Sequence, residues 1–105
     1  MDDTFDFETA FQSIGAAMVD AAKARDHTLA SAEAEKWGLV EQPHESLSAG
    51  WQWGRSGGNR TLIFRFRSYD QSKPFSPVLP DMNVLSLQFV ENGVAIRTAE
   101  ERYED

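Results

Sequence analysis

The chain contains no cysteine and only two histidines. Without thiols it has no disulfide framework, no thiolate metal site and no thiol nucleophile, so its core has to supply the stability. No stretch approaches the roughly 20 apolar residues of a membrane span. The acidic N-terminus also lacks the basic region and apolar run of a signal peptide. We therefore expect a soluble, cytoplasmic protein that does not associate with a membrane.

Recognisable catalytic and cofactor motifs are missing as well. The sequence has no Walker loop and no dinucleotide fingerprint, and His27 and His44 lack the spacing of a metal-binding pair. Gly54–Gly58 matches the G-x-S-x-G pattern of hydrolases, but the segment that follows is predicted to be a strand, whereas that motif leads into a helix. We expect no enzymatic activity, no metal and no cofactor.

The charge is sorted along the chain. Residues 1–50 carry ten acidic and three basic side chains, whereas residues 51–97 carry six basic and three acidic ones. The last eight residues return to a balance of -3, which gives -7 overall. A folded chain with this order has faces of different charge, and such faces concern partners more than a reaction. A length of 105 residues suits one compact domain, so we predict a single α+β domain over residues 1–105.

The first block has the periodicity of a helix. Its apolar residues recur at spacings of three and four, which is typical of one buried helical stripe. The members of this stripe are Phe7, Phe11, Ile14, Met18 and Ala21. With Asp6 as the N-cap, the pattern predicts a helix from Phe7 to Arg25.

A second, shorter helix is predicted to begin at Thr28 or Ser31 and to end at Trp37, because the glycine that follows tolerates the left-handed conformation of a C-cap. Residues 42–48 are predicted to form a connection. Residues 73–80 are predicted to form another, since three prolines exclude a central strand there.

After residue 50 the large apolar residues recur at every second position, which is typical of β-strands and not of helices. A turn at Gly57 and Gly58 would pair Trp53 with Leu62 and form a hairpin. This register predicts one apolar face that belongs to the core. Its large residues are Trp51, Trp53, Leu62, Phe64 and Phe66.

A second hairpin is predicted around the turn Asn92–Gly93, a strong two-residue hairpin signal. It would pair Phe89 with Ile96 and Gln88 with Arg97. The residues that would share the core face are Leu85, Leu87, Phe89, Val94 and Ile96. The acidic end after residue 97 is predicted to form a helical turn or to fray.

Two helices followed by two hairpins predict an α+β fold, in which the helices cover one face of an antiparallel sheet of about four strands. Alternation then assigns polar residues to the other face. The candidate binding residues on that face are Gln52, Arg65, Arg67, Tyr69, Gln88 and Arg97. Arginine is enriched in binding patches. The alternative is a solvated sheet face without a partner, since any such face is polar.

The first functional hypothesis is a small acidic protein-binding module. Such a module would be an inhibitor, an immunity-type protein or a phage-encoded antagonist that occludes the surface of a partner protein. In one version the contact is made by an acidic surface that imitates nucleic acid. Its candidate residues are Asp20, Asp26, Glu33, Glu35, Glu41 and Glu45.

Three alternatives stay open. The first is a sheet that binds nucleic acid through Arg65, Arg67 and Arg97, which the net charge of -7 disfavours. The second is a small-ligand protein with a pocket lined by tryptophans. The third is a homodimer, because a flat sheet face or an edge strand can pair with a second copy.

Overall fold

The structure, a computed structural model, describes residues 5–42, 50–69 and 82–104. Its helices are α1 (Phe7–Ala24) and α2 (Thr28–Lys36), and its strands are β1 (Val40–Gln42), β2 (Gly50–Gly57), β3 (Arg60–Tyr69), β4 (Met82–Glu91) and β5 (Val94–Glu104). The strands form one antiparallel sheet in the order β1-β2-β3-β4-β5. The predicted α+β fold is confirmed, with one strand more than two hairpins provide. The predicted connection at 73–80 lies outside the described residues.

Helix α1 follows from its apolar stripe, whose five members are all buried. The carboxylate of Asp6 caps the helix, because it accepts hydrogen bonds from the Thr9 backbone N–H at 3.0 Å and from the Thr9 hydroxyl at 2.6 Å. The helix ends where Arg25 takes a left-handed φ of 56°. The predicted span from Phe7 to Arg25 is therefore confirmed to within one residue.

Helix α2 begins at Thr28, the first of the two predicted starts. The Asp26 carboxylate accepts from the backbone N–H and the hydroxyl of Thr28 and so orders the first turn. Gly38 ends the helix at a φ of 83°, and the next N–H, that of Leu39, donates to the carbonyl of Ala34 at 3.0 Å.

The hairpin of β2 and β3 forms in a register different from the predicted one. Trp53 lies opposite Phe64 and not Leu62, because the chain turns at Gly58 and Asn59, one residue later than predicted. The shift moves each partner by two residues, and a two-residue shift returns every side chain to the same face. The predicted faces of both strands are therefore confirmed although the predicted pairs are wrong.

The hairpin of β4 and β5 turns at Asn92 and Gly93 as predicted, but its register changes after two pairs. A β-bulge between Phe89 and Val90 leaves Ile96 as an extra residue, so Phe89 lies opposite Arg97. A one-residue shift exchanges the two faces of the rest of β5. The helical turn predicted at the acidic end is wrong, since β5 continues to Glu104.

The core lies between the helices and one face of the sheet. Helix α1 lies over β3, β4 and β5, with the Phe7 ring stacked on Phe89 at a centroid distance of 5.8 Å. The fully buried side chains of the sheet are Leu62, Phe64, Leu85, Leu87 and Phe89.

Three predicted core residues are exposed. Ile96 is 49% exposed because it is the extra residue of the bulge, and Val94 is 61% exposed although it keeps its predicted place opposite Glu91. Trp51 lies on the core side, where Phe66 and His27 stack against it, but it is 43% exposed.

Candidate protein-binding surface

The open face is the face of the sheet opposite the helices. Register places its residues by alternation from strand to strand. They are Val40, Gln42, Gly50, Gln52, Gly54, Ser56, Thr61, Ile63, Arg65, Arg67, Met82, Val84, Ser86, Gln88, Val90, Ala95, Thr98, Glu100, Arg102 and Glu104. Both described helices pack on the other face. Of the predicted binding residues, Gln52, Arg65, Arg67 and Gln88 lie on this surface. Tyr69 ends β3, and its side chain lies outside the described part of the structure.

A chain of hydrogen bonds runs across three strands of the open face. The Gln52 Nε2 donates to Gln42 Oε1 at 2.6 Å, and Arg65 Nε donates to Gln52 Oε1 at 2.8 Å. All three side chains are half-buried. The Gln52 amide is thus held from both ends, which fixes the plane of the Arg65 guanidinium.

Gly54 makes room for this chain. It lies opposite Val40, and the neighbouring Gln42 side chain lies over it. A Cβ at position 54 would be 2.5 Å from Gln42 Nε2, which is closer than real contacts allow. Glycine is therefore required at this position if the Gln42 side chain is to keep its place.

The arginines of the sheet differ in their partners. Arg60 pairs with Glu91 at 3.3 Å and Arg102 pairs with Glu100 at 2.7 Å. Arg65 and Arg67 are half-buried, and neither has a carboxylate partner within the described ranges. Partial burial of a guanidinium without a counter-charge does not stabilise a fold. The open face therefore carries two guanidinium groups that can accept an anion.

The predicted position of Arg97 on the open face is wrong. It lies on the helix side of β5, where it pairs with Glu8 and its guanidinium sits over the Phe11 ring at 4.7 Å. The bulge after Phe89 is the cause, because it exchanges the faces of the strand at this point. Arg97 therefore fastens α1 to the sheet and does not reach the open face.

Most of the predicted acidic residues that the structure describes bind within the fold. Glu33 accepts from the Ser13 hydroxyl at 2.7 Å and from Trp37 Nε1 at 3.1 Å, and Glu35 accepts from Trp53 Nε1 at 3.0 Å. The Ser13 hydrogen bond, with that of Trp37, holds the pKa of Glu33 below its ordinary value.

The remaining acidic candidates are more varied. The Thr28 hydroxyl and backbone N–H lower the pKa of Asp26, whose carboxylate accepts both hydrogen bonds at the start of α2. Asp20 on α1 and Glu41 on β1 are exposed, and Glu45 lies outside the described residues. The acidic surface is therefore partly a set of hydrogen-bond acceptors that join helices and sheet.

Sequence reasoning missed Gln42, Gly54 and Arg102. Strand β1 has only three residues, so no alternation was visible, and Gln42 was assigned to a connection. Arg102 was missed because the acidic end was predicted to form a helical turn or to fray, whereas β5 continues there. A signal for Gln42 existed in the pairing of β1 with β2, but that contact joins residues ten positions or more apart.

The described residues give little support to hydrolase or metal chemistry. Ser56 of the hydrolase-like pattern lies in strand β2, and its hydroxyl is 3.0 Å from that of Thr61. The imidazole of His27 stacks on the Phe66 ring at 4.0 Å. Within the residues that the structure describes, no group of three or more metal-ligating side chains comes together. In the same part of the chain, no helix combines the length and apolar character needed to cross a membrane.

Comparison with models of protein families, with curated proteins and with solved structures finds no match to this chain.

Proposed function

We propose that the chain is a small protein-binding module that occludes the surface of a partner protein with its open face. One observation supports this most strongly: Arg65 and Arg67 are half-buried there without a carboxylate partner in the described part of the chain. Arginine is frequent among residues that dominate binding energy, and its planar fork matches a carboxylate. An acidic surface of another protein supplies the missing counter-charges.

The surroundings of the two arginines favour a protein over a nucleic acid. Ile63 and Val84 flank them as aliphatic side chains, and Glu100 lies on the same face. The net charge of -7 of the chain disfavours the approach of a polyanion. Arg65 and Arg67, which have no carboxylate partner among the described residues, would neutralise about two phosphates, which is few for nucleic-acid binding.

The acidic version of the hypothesis has weaker support. Glu33 and Glu35 accept hydrogen bonds from tryptophan N–H groups, and Asp26 accepts from the Thr28 N–H at the start of α2. Carboxylates that are used inside the fold are less available to imitate the phosphates of nucleic acid. Asp20 and Glu41 are exposed, so substitutions at these two positions can test whether an acidic surface binds a partner.

Site-specific photo-cross-linking tests the proposal. A photoreactive residue replaces Gln88 on the open face or, in a second sample, the exposed Gln12 on α1. We expect a protein to cross-link from position 88 and not from position 12, with no loss after nuclease treatment. The double variant R65E/R67E should lose this product.

The variant K23E/K36E is the matched control, because it makes the same change in net charge on the helices. Circular dichroism of each variant verifies that it is folded. Cross-linking from position 12 alone, or equal loss in both double variants, would contradict binding through the open face. A product that disappears with nuclease would favour the nucleic-acid alternative.

A further inference from the structure

We infer that Gln42, Gln52 and Gly54 determine the specificity of the open face, because they orient the Arg65 guanidinium to receive a carboxylate from an extended acidic segment of the partner. This inference rests on the proposed function. It assigns the three residues a positioning role, since the contact itself would be made by Arg65 and Arg67.

The orientation follows from the donors and acceptors of one amide. Gln52 uses its NH₂ group toward Gln42 Oε1 at 2.6 Å and its carbonyl oxygen toward Arg65 Nε at 2.8 Å. A rotation of this amide by 180° would lose both bonds, since it would place a donor against Arg65 Nε–H and an acceptor against Gln42 Oε1. With Nε engaged, the terminal Nη1 and Nη2 are left for a partner. These two N–H groups form the fork that pairs with a carboxylate through two parallel hydrogen bonds.

The orientation of the Gln52 amide also depends on the absence of a side chain at Gly54. Any Cβ at position 54 would displace the Gln42 side chain, which is the neighbour that holds the Gln52 amide. The orientation of Arg65 is thus linked to a residue that makes no contact with it. A merely solvated face would not need such a chain.

The spacing of the two arginines indicates the form of the acidic partner. Arg65 and Arg67 are alternate residues of β3, so their Cα atoms are about 6.6 Å apart on one face. Alternate side chains of an extended segment repeat at about the same distance. A segment with acidic residues at alternate positions can therefore offer one carboxylate to each guanidinium, while its backbone passes over Ile63 and Val84.

The test combines a peptide probe with the Gln52→Glu variant. The probe is a fluorescein-labelled octapeptide of alternating glutamate and threonine, and its affinity is measured by fluorescence polarisation at low salt. In Gln52→Glu the new carboxylate occupies Arg65 from within the face, so we expect the protein to stay folded and to bind the probe about tenfold more weakly. Gln12→Glu on α1 makes the same chemical change elsewhere and should bind like the wild type.

A second readout separates positioning from general stability. The Nε–Hε signal of Arg65 in ¹⁵N NMR spectra should exchange slowly with water in the wild type, because this N–H is hydrogen-bonded. Gln52→Ala and Gly54→Ala should speed its exchange and weaken probe binding several-fold, without a matching change at Arg67. The wild-type Nε–Hε signal should also shift when the probe is added.

The outcomes distinguish this inference from the proposed function. If R65E/R67E abolishes the cross-link at position 88 but Gln52→Glu leaves it and the probe affinity unchanged, the positioning role is overturned and protein binding stands. Tighter binding of an octathymidylate than of the peptide would overturn the carboxylate assignment. Absence of any cross-link at position 88 would overturn the proposed function itself.

Discussion

Two glycines of this chain differ in what a side chain would meet. A Cβ on Gly54 would lie 2.5 Å from Gln42 Nε2, whereas one on Gly15 would meet no atom within 4 Å. Gly54 is thus required by its surroundings, but Gly15 lies inside α1 and gains no packing from the missing side chain. Glycine in a helix interior loses more backbone entropy than alanine does, so Gly15 weakens α1.

Gly15→Ala should stabilise the protein by about 0.5–1 kcal/mol, because alanine restricts the unfolded chain and fits the helix. Urea denaturation followed by circular dichroism measures the change. Gly38→Ala is the opposite control: Gly38 has a φ of 83°, and a Cβ there would collide with the Arg55 guanidinium. That variant should be destabilised. A Gly15→Ala protein that unfolds at lower urea concentration than the wild type would refute the expectation.

Between elements, a small number of polar contacts join the helices to each other and to the sheet. The Ser13 hydroxyl of α1 donates to Glu33 of α2 at 2.7 Å. Arg55 Nη1 of β2 donates to the Trp37 carbonyl at the end of α2 at 3.1 Å, and its guanidinium lies over the Phe5 ring at 3.8 Å. These contacts show why several charged residues of this chain serve the fold and not a partner.

The Ser13–Glu33 contact predicts a pH dependence. Hydrogen bonding lowers the pKa of Glu33 in the folded state, so the carboxylate stabilises the fold above its ordinary pKa of 4.5, and this contribution is lost as the pH falls through the lowered folded value. Glu33→Gln should therefore unfold at a lower urea concentration than the wild type at pH 7, and the difference should shrink toward pH 3.

The exposed Asp20→Asn on α1 is the control for this pH series, since it also removes one negative charge from the helices. Urea midpoints measured from pH 7 to pH 3 report both variants. A Glu33→Gln difference that stays constant over this range would show that the charge of Glu33 is not what the Ser13 contact requires.

At the scale of the whole molecule, the described residues form two layers, with the core on one face of the sheet. Neighbouring residues of β3 show the asymmetry: Phe64 is fully buried under the helices, whereas Ile63 is half-buried on the open face. Within the described residues both helices lie on one face of the sheet, and the opposite face is the one proposed to bind a partner. Stability and the proposed binding are therefore carried by opposite faces of the same strands.

Substitutions at these two positions should have very different effects. Phe64→Ala should cost about 3–5 kcal/mol, because it empties a large volume in the core. Ile63→Ala should cost about 1 kcal/mol, since its side chain is only partly covered. Chemical denaturation of both variants tests the difference. Equal losses would mean that the open face is packed as tightly as the core.

Much of the fold was predictable because it depends on neighbours within a few residues. The apolar stripe of α1, its Asp6 cap and the turn Asn92–Gly93 are local, and all three are confirmed. Arg65 was placed on the correct face even though the register of its hairpin was wrong, because a shift of two residues preserves alternation.

The sequence by itself determined the helices, the turn Asn92–Gly93 and the alternation of β3, since each of these is a consequence of side-chain spacing and backbone preference. Only the tertiary structure decided the bulge that turns Arg97 toward Glu8 and the pairing that brings Gln42 to Gln52. The physical reason is that both depend on contacts between distant parts of the chain: Arg97 is held by a residue of α1, and Gln42 by a strand that follows a connection. No local pattern encodes such contacts.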